Sequence, residues 1–258
     1  MQNRYVGDVG DFGKFGLLRL LCGPDEHPPL RLGVAWYLYP DEDHNEDGKH
    51  VTYLNGRDGS FRICDTELYD GFRSLLLDEM GIMISSRRSV QTLEISGLLP
   101  LTTLFHNQPL AYPKELSTLG RLSLRREWFA SLLTETAAAD LVFMDPDNGI
   151  ECASVSITSS KGPKYVYQED IQAFIARGQS LVIYHHLNRS CPHPQQVENK
   201  LQELSALTPE GYEAFAVTFN RGTSRAYFVL AAPPHADALR QRLGKIKSGP
   251  WQHHFRCP

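Results

Sequence analysis

Two carboxylates follow an apolar segment in the second half of the chain. Asp145-Pro146-Asp147-Asn148 comes directly after the four apolar residues 141–144. Such a run is typical of a buried strand in a parallel sheet, and open α/β sheets bind ligands at the carboxyl ends of their strands. We therefore expect Asp145 to lie at a functional edge. The alternative is a simple strand-ending turn, since Asn148-Gly149 is a turn dipeptide.

A metal site is one interpretation of these carboxylates. Asp145, Asp147 and Glu151 alternate along the chain, so in an extended segment their side chains could face one side. Hard divalent cations such as Mg²⁺ prefer such oxygen ligands.

A pair of histidines extends that interpretation. His185 and His186 follow the next apolar run, 181–184, and should reach the same edge of the sheet. Together with Lys161 or Lys164 they complete the set of groups expected in a metal-dependent nuclease or phosphodiesterase. The alternative is a pair in which one histidine faces solvent or caps a helix.

Two other charged segments have weaker chemical patterns. Residues 41–47 contain five acids, but they lack the spacing of a calcium loop, so we expect a solvated loop. Residues 240–258 form a basic aromatic C-terminal tail with five Lys or Arg and no acid. Trp251 and Phe255 could stack on bases while the basic residues contact phosphates; the alternative is a helix end with a docked aromatic.

The elements that must position these groups alternate along the chain. Glycines at 7, 10, 13 and 16 allow close backbone approach and precede a buried helix. Periodicity predicts further helices over 65–80, 125–139, 170–177, 195–207 and 235–243, and strands over 32–39, 141–144, 181–184, 215–219 and 225–230. Residues 220–224 predict a hairpin between the last two strands. The pattern favours a single α/β domain over residues 1–258, with a doubly wound, mostly parallel sheet and a closing antiparallel hairpin.

The second half of the chain resembles class I methyltransferases that modify exocyclic amines, which have a Rossmann-like fold. Those enzymes carry Asp/Asn-Pro-Pro-aromatic after the fourth strand, followed by a helix, a strand, a helix and a hairpin. Residues 140–231 reproduce that order, with Asp147 and Asn148 in place of the second proline and the aromatic. The N-terminal segment is similar to the opening of the large-subunit ribosomal RNA adenine-N6 methyltransferase family, keeping Gly7, Asp11 and Lys14.

The resemblance implies transfer of a methyl group from S-adenosylmethionine to a base of RNA or DNA. Asp145 and the Pro146 carbonyl would accept the two hydrogens of the target amine and orient its nitrogen for attack. A paired base must be extruded to reach such a pocket. Gly7, Asp11, Lys14 and Trp36 would contact the methyl donor, and Tyr165 or Tyr167 would replace the stacking aromatic. The altered motif also leaves open a catalytically silent nucleic-acid-binding relative.

The composition narrows the class of protein. The chain has 258 residues with 26 Lys and Arg against 30 Asp and Glu, a formal net charge of −4. This balance excludes a wholly basic nucleic-acid coat protein. Without an 18-residue apolar run or a secretory signal pattern, we expect a cytoplasmic protein that does not span a membrane. Five widely spaced cysteines predict neither a disulfide framework nor a structural zinc site.

Overall fold

A computed structural model describes residues 1–23, 30–42, 48, 50–56 and 59–257. Its strands are β1 (Leu32–Ala35), β2 (Leu104–His106), β3 (Leu141–Met144), β4 (Gly149–Ile150), β5 (Tyr165–Val166), β6 (Ser180–His186), β7 (Glu213–Arg221), β8 (Thr223–Ala231) and β9 (Phe255–Arg256). The α-helices are α1 (Val9–Cys22), α2 (Thr66–Leu76), α3 (Val90–Ile95), α4 (Thr118–Glu135), α5 (Gln168–Ile175), α6 (His193–Leu207) and α7 (Ala236–Ile246). Most of the acidic segment 41–47 lies outside the described residues.

The fold is mixed α/β around a seven-stranded sheet with the order β2-β1-β3-β6-β8-β7-β9. The first four strands are parallel, as the alternating sequence pattern predicts. β8 is antiparallel to both β6 and β7, and Gly222 (φ 72°) turns the predicted hairpin between them. This arrangement is compatible with a Rossmann-like fold. β4 and β5 form a separate two-stranded parallel pair that the sequence pattern did not predict.

Each face of the sheet has its own hydrophobic core, because successive side chains of a strand point to opposite faces. On the first face the strands pack against α1, α2, α3 and α7, with Phe143 and Tyr227 in the core. On the second face they pack against α4, α5 and α6, with Met144 and Ile183 in the core. No helix among the described residues is long and apolar enough to cross a bilayer.

Helix α1 contains three of the spaced glycines, although glycine weakens a helix. A Cβ at Gly10, Gly13 or Gly16 would lie within 3 Å of a side chain from β7, β8 or the C-terminal segment. At Gly16 the nearest ring atoms of Trp251 would be only 2.2 Å away. The glycines therefore let α1 pack directly on the sheet and on the tail.

The C-terminal tail docks on the first core. Trp251 and Phe255 are 7% and 3% exposed, and their rings pack together with centroids 5.4 Å apart. Arg240 pairs with Glu213 and Asp237 instead of presenting an unmatched charge. The alternative interpretation, a helix end with a docked aromatic, therefore describes this segment. The two aromatic side chains proposed for base stacking lie in the core.

Candidate active site at the carboxyl edge of the sheet

Lys14 and Asp145 meet at the carboxyl end of β3. Asp145 follows Met144 directly and therefore faces the same side of the sheet as Phe143, toward α1. The Lys14 Nζ atom lies 2.6 Å from Asp145 Oδ2 and 2.7 Å from Asp11 Oδ1. All three side chains are buried, with exposed fractions between 3% and 5%. The edge thus holds one ammonium between two carboxylates.

The beginning of α1 adds a third carboxylate. Asp8 is the N-cap of α1, and its side chain accepts hydrogen bonds from the backbone amides of Gly10 and Asp11 at 2.6 and 3.2 Å. Capping of this kind explains why the chain turns into a helix here. The buried guanidinium of Arg225, from β8, lies against Gly10 and attracts Asp8 electrostatically.

Two buried donors in this cluster have no hydrogen-bond partner among the described residues, namely Arg225 Nε and Tyr227 Oη. Buried polar atoms normally have partners, so each such exception needs an explanation. Both residues lie on β8, two positions apart, and therefore on the same face as Asp145. A polar ligand or water at this edge would satisfy them.

The charges in the cluster shift each other's protonation. Burial raises the pKa of Asp145, and the attraction of Lys14 only partly opposes that effect. Burial alone would lower the pKa of Lys14, but Asp11 and Asp145 outweigh it and raise this pKa above its usual value. Lys14 is therefore a fixed positive charge at neutral pH.

Asp147 faces a different set of partners. Its Oδ1 lies 2.8 Å from the Met1 amine, which also donates to the carbonyl oxygens of Tyr37 and Asp145. Its Oδ2 accepts from Gln2 Nε2 at 2.6 Å, and the Lys164 ammonium is 3.6 Å away. Lys164 in turn pairs with Glu42 at 2.6 Å, and Glu42 contacts Gln2. These groups surround the Asp147 carboxylate.

The carboxylates expected to share a cation have separate partners. Asp145 pairs with Lys14, Asp147 with the Met1 amine, and Glu151 accepts from the backbone amide of Gln168 at 2.8 Å. Within the described part of the chain, no group of three His, Cys, Asp or Glu side chains could hold a metal ion. The arrangement gives the metal interpretation no support.

The two histidines lie on opposite faces of β6. His185 alternates with Ile183 and faces the second core, whereas His186 shares the face of Asp145 and is exposed. The backbone amide of His186 donates to the carbonyl of Asn148 at 3.2 Å. Of the pair, only His186 can therefore take part in chemistry at Asp145.

The remaining residues implied by the resemblance have structural surroundings. Gly7 has φ 81° and packs against Leu76, and its amide donates to Asp11. Trp36 is fully buried and stacks between Phe15 and Phe105, with both ring-centroid distances at 6.4 Å. Trp36 therefore belongs to the core, and its ring centre lies 5.8 Å from Lys14 Nζ, beside the cluster.

The expected stacking residues differ in exposure. Tyr165 is partly exposed and interacts with Asn148 through its side chain, so it remains close to the motif. Tyr167 is 5% exposed, and its hydroxyl donates to the carbonyl of Gly162. Of the two, Tyr165 is the candidate for contact with a base.

Sequence reasoning missed Asp8, Arg225 and Tyr227. Asp8 had a usable signal, because an aspartate just before an apolar helix is a typical N-cap. Arg225 and Tyr227 lie in a predicted strand, but the sequence pattern does not show which elements that strand packs against. Their position beside α1 is therefore visible only in the fold.

Searches against protein-family models and curated proteins find no match for this chain.

Proposed function

We propose that the protein is an S-adenosylmethionine-dependent methyltransferase that acts on an exocyclic amine of a nucleic-acid base. The observation that carries the proposal is the 2.6 Å contact between Lys14 and Asp145, which are 131 positions apart. It joins the two segments that carry the resemblance, the N-terminal Gly7–Asp11–Lys14 pattern and the Asp-Pro motif. Their meeting point is the sheet edge where such folds bind ligands.

The chain order around the site supports the same proposal. After Asp145 and the short β4–β5 pair, the chain continues through α5, β6, α6 and the β7–β8 hairpin. β8 pairs antiparallel with β6, so the hairpin returns Arg225 and Tyr227 to the face of Asp145. This is the succession of elements that the resemblance implies.

The donor set at the edge fits the amino-acid end of S-adenosylmethionine. That end carries a carboxylate and an ammonium, so it needs both cationic donors and anionic acceptors. Lys14 and the unpartnered atoms of Arg225 and Tyr227 would hold the carboxylate, and Asp11 would hold the ammonium. When bound, the compound supplies an activated methyl group on a sulfonium. The ring of Trp36 adjoins Lys14 and would lie beside this set.

The residues of this chain would prepare the methyl acceptor. Asp145 Oδ and the Pro146 carbonyl accept the two hydrogens of the target amine and aim its lone pair. Lys14 orients the Asp145 carboxylate and favours its charged form. The edge is already suited to an amine nitrogen, since the Met1 amine is bound there by two backbone carbonyls and a carboxylate.

Access to Asp145 requires movement of the neighbouring side chains. The Asp145 side chain is 4% exposed, and Gln2, Glu42 and Lys164 are linked by hydrogen bonds and ion pairs beside it. A base extruded from its stack would displace these contacts on entry. His186, at the exposed rim of the same face, would then adjoin the incoming strand.

A ligand-stabilisation experiment tests the proposal. S-adenosylmethionine or its demethylated product should raise the Tm, because a ligand that binds only the folded state stabilises it by about 2.7 kcal/mol at ~100 times its Kd. The variant Lys14→Met should reduce that shift. Absence of a shift with both compounds, together with a clear shift with Mg²⁺ or Mn²⁺, would favour the metal-dependent nuclease or phosphodiesterase instead.

The motif variants test the chemistry in a methyl-transfer assay with radiolabelled donor on RNA and DNA. Asp145→Ala should abolish transfer, whereas Asp145→Asn retains an acceptor oxygen and should keep partial activity. Asp147→Ala is the matched control, since a metal site would need its carboxylate and the proposed mechanism does not. Equal inactivity of all three variants would contradict the proposed role of Asp145.

A further inference from the structure

Acidic residues are unevenly distributed along the chain. The three longest stretches without Asp or Glu are residues 171–197, 214–236 and 238–258. In the fold they supply the neighbouring strands β6, β8, β7 and β9. The acidic residue in these strands, Glu213, begins β7 at the opposite, amino edge of the sheet. The carboxyl edge of this half of the sheet therefore has basic residues without acidic ones, in a chain whose formal net charge is −4.

Two loops of this half meet beside the proposed active site. The backbone amide of Leu187, just after β6, donates to the carbonyl of Ser224, beside the hairpin turn, at 3.2 Å. The loop after β6 exposes His186 and Arg189, and the hairpin turn exposes Arg221. We call these three exposed residues the basic rim.

The two arginines of the basic rim have no carboxylate partner among the residues that the structure describes. The Arg189 side chain makes no hydrogen bond or ion pair with any of them. Arg221 donates to His254 Nδ1 at 3.1 Å and to the His253 carbonyl at 2.8 Å. His254 Nε2 in turn bonds to the Ser60 carbonyl at 3.1 Å, which fixes the ring. Arg221 is thus held in position by uncharged acceptors that do not neutralise it.

Other exposed arginines of the chain are neutralised. Arg62 pairs with Asp70, and Arg240 pairs with two carboxylates. Asp8 faces the buried Arg225 near the hairpin, but its carboxylate is engaged in capping α1. The guanidinium group matches the geometry of a phosphate. Because the charges of the basic rim are exposed and lie on two adjoining loops, they suit a chain of phosphates better than one enclosed anion.

We propose that the basic rim binds the sugar-phosphate backbone of the nucleic-acid strand that carries the target base. This inference rests on the proposed function. His186 shares the face of Asp145, so a strand bound along the basic rim passes the entrance to that residue. Phosphate contacts position a strand without reading its sequence. Arg189 and Arg221 would therefore place the strand, and the Asp145 motif would receive the base.

Binding of a fluorescent single-stranded oligonucleotide, as RNA and as DNA, tests the basic rim without a methyl donor. Anisotropy titrations are made at several salt concentrations. Arg189→Glu should weaken binding about tenfold and reduce the salt slope by about 0.7 for each lost phosphate contact. Arg189→Lys keeps the charge and should retain the affinity within about twofold. Since the Arg189 side chain has no described partner, both variants should keep the wild-type Tm.

Arg177→Glu is the matched control. Arg177 is exposed and lies in the same acid-free stretch, but it precedes β6 at the amino edge of the sheet. The same charge change there should leave the affinity and the salt slope unchanged. Equal weakening by both Glu variants would overturn the proposal, because overall charge would then govern binding. Binding of phosphatidylserine vesicles in place of the oligonucleotide would also overturn it.

The methyl donor separates this inference from the proposed function. Arg189→Glu should keep the wild-type Tm shift with S-adenosylmethionine, because Arg189 is not in the donor set. A wild-type protein that binds the oligonucleotide through the basic rim but shows no shift with the donor would refute the proposed function alone. A donor shift, together with equal oligonucleotide affinities of Arg189→Glu and the wild type, would refute the basic rim alone.

Discussion

A buried cation lies near the carboxyl edge on each face of the sheet, and the two have different surroundings. On the second face, Arg125 pairs with Asp170, and its guanidinium lies 5.1–5.6 Å from the ring centres of Tyr37, Trp128 and Tyr167. Asp170 also accepts from the Tyr37 hydroxyl and the Tyr167 amide. One cation and one carboxylate are thus enclosed by aromatic rings.

On the first face the charged groups are shared rather than paired one to one. Lys14 is shared by Asp11 and Asp145, and Arg225 adds one positive charge beside Asp8. The Arg125 pair has a one-to-one match and closes a core, so burial of an ion pair does not by itself indicate a functional site. The sharing of one ammonium between two carboxylates at the ligand-binding edge distinguishes the cluster around Lys14.

The largest stability effect is expected on the second face. Arg125→Met should lower the free energy of unfolding by about 3–5 kcal/mol, because it leaves Asp170 buried without its counter-charge. Arg126→Met, an exposed neighbour on α4, should change it by less than about 0.5 kcal/mol. Urea unfolding of both variants measures the difference. A loss below about 1 kcal/mol for Arg125→Met would remove the structural role assigned to this pair.

The second face also contains a histidine whose protonation opposes folding. Burial, with the charges of Lys200 and His186, lowers the pKa of His185 to about 4. The folded protein therefore favours the neutral form of His185. The contribution of this residue to folding stability is complete above the unfolded pKa of about 6.5 and is lost as the pH falls toward 4. The loss is on the order of 2–3 kcal/mol, at about 1.4 kcal/mol per pKa unit.

His185→Gln tests this pH dependence. Glutamine keeps an acceptor oxygen for the Ile150 amide but does not titrate, so its stability should vary less between pH 4 and 6.5. Chemical unfolding of the variant and the wild type across that interval gives the difference directly. Parallel stability curves would mean that His185 does not resist protonation.

The first face depends on close packing of α1, which Gly10→Ala tests. A Cβ at Gly10 would lie 1.3 Å from Arg225 Nη1, so the guanidinium would have to move away from Asp8. We expect a net loss of about 1–3 kcal/mol despite the better helix propensity of alanine. Gly244→Ala in α7 meets no atom within 4 Å and should stabilise by about 0.5–1 kcal/mol. Thermal unfolding distinguishes the two signs.

More of the fold than of the candidate site could be predicted from the sequence. Apolar runs and periodicity predicted the parallel strands and the hairpin, because those signals are local. The strand predicted over 32–39 ends at Ala35, and Tyr37 takes a φ of 46° where the chain leaves the sheet. The Trp36 and Tyr37 side chains still enter the cores of opposite faces, as consecutive residues of a strand do. The apolar pattern therefore continues past the end of the strand and does not reveal the turn.

For the candidate site, the sequence singled out individual residues but not their grouping. Asp145 was found from its position after an apolar strand, and Lys14 from the resemblance. The pairing of Arg225 with α1 depends on the register of β8 and on the glycine at position 10, which are long-range features. The grouping of Asp145 with His185 overlooked the alternation of β6, which separates them by the thickness of the sheet.

The smallest stability effect separates the two faces most sharply. Asp145→Asn should change the free energy of unfolding by less than about 1 kcal/mol, because Lys14 keeps Asp11 and the burial that raises the pKa of Asp145 no longer opposes a charge. Asp170→Asn should lose about 2 kcal/mol or more, since Arg125 has no second carboxylate among its described partners. Both variants are compared by urea unfolding at neutral pH. Equal losses would make the Lys14–Asp145 pair a structural contact like that of Arg125, and the proposed site would lose its principal support.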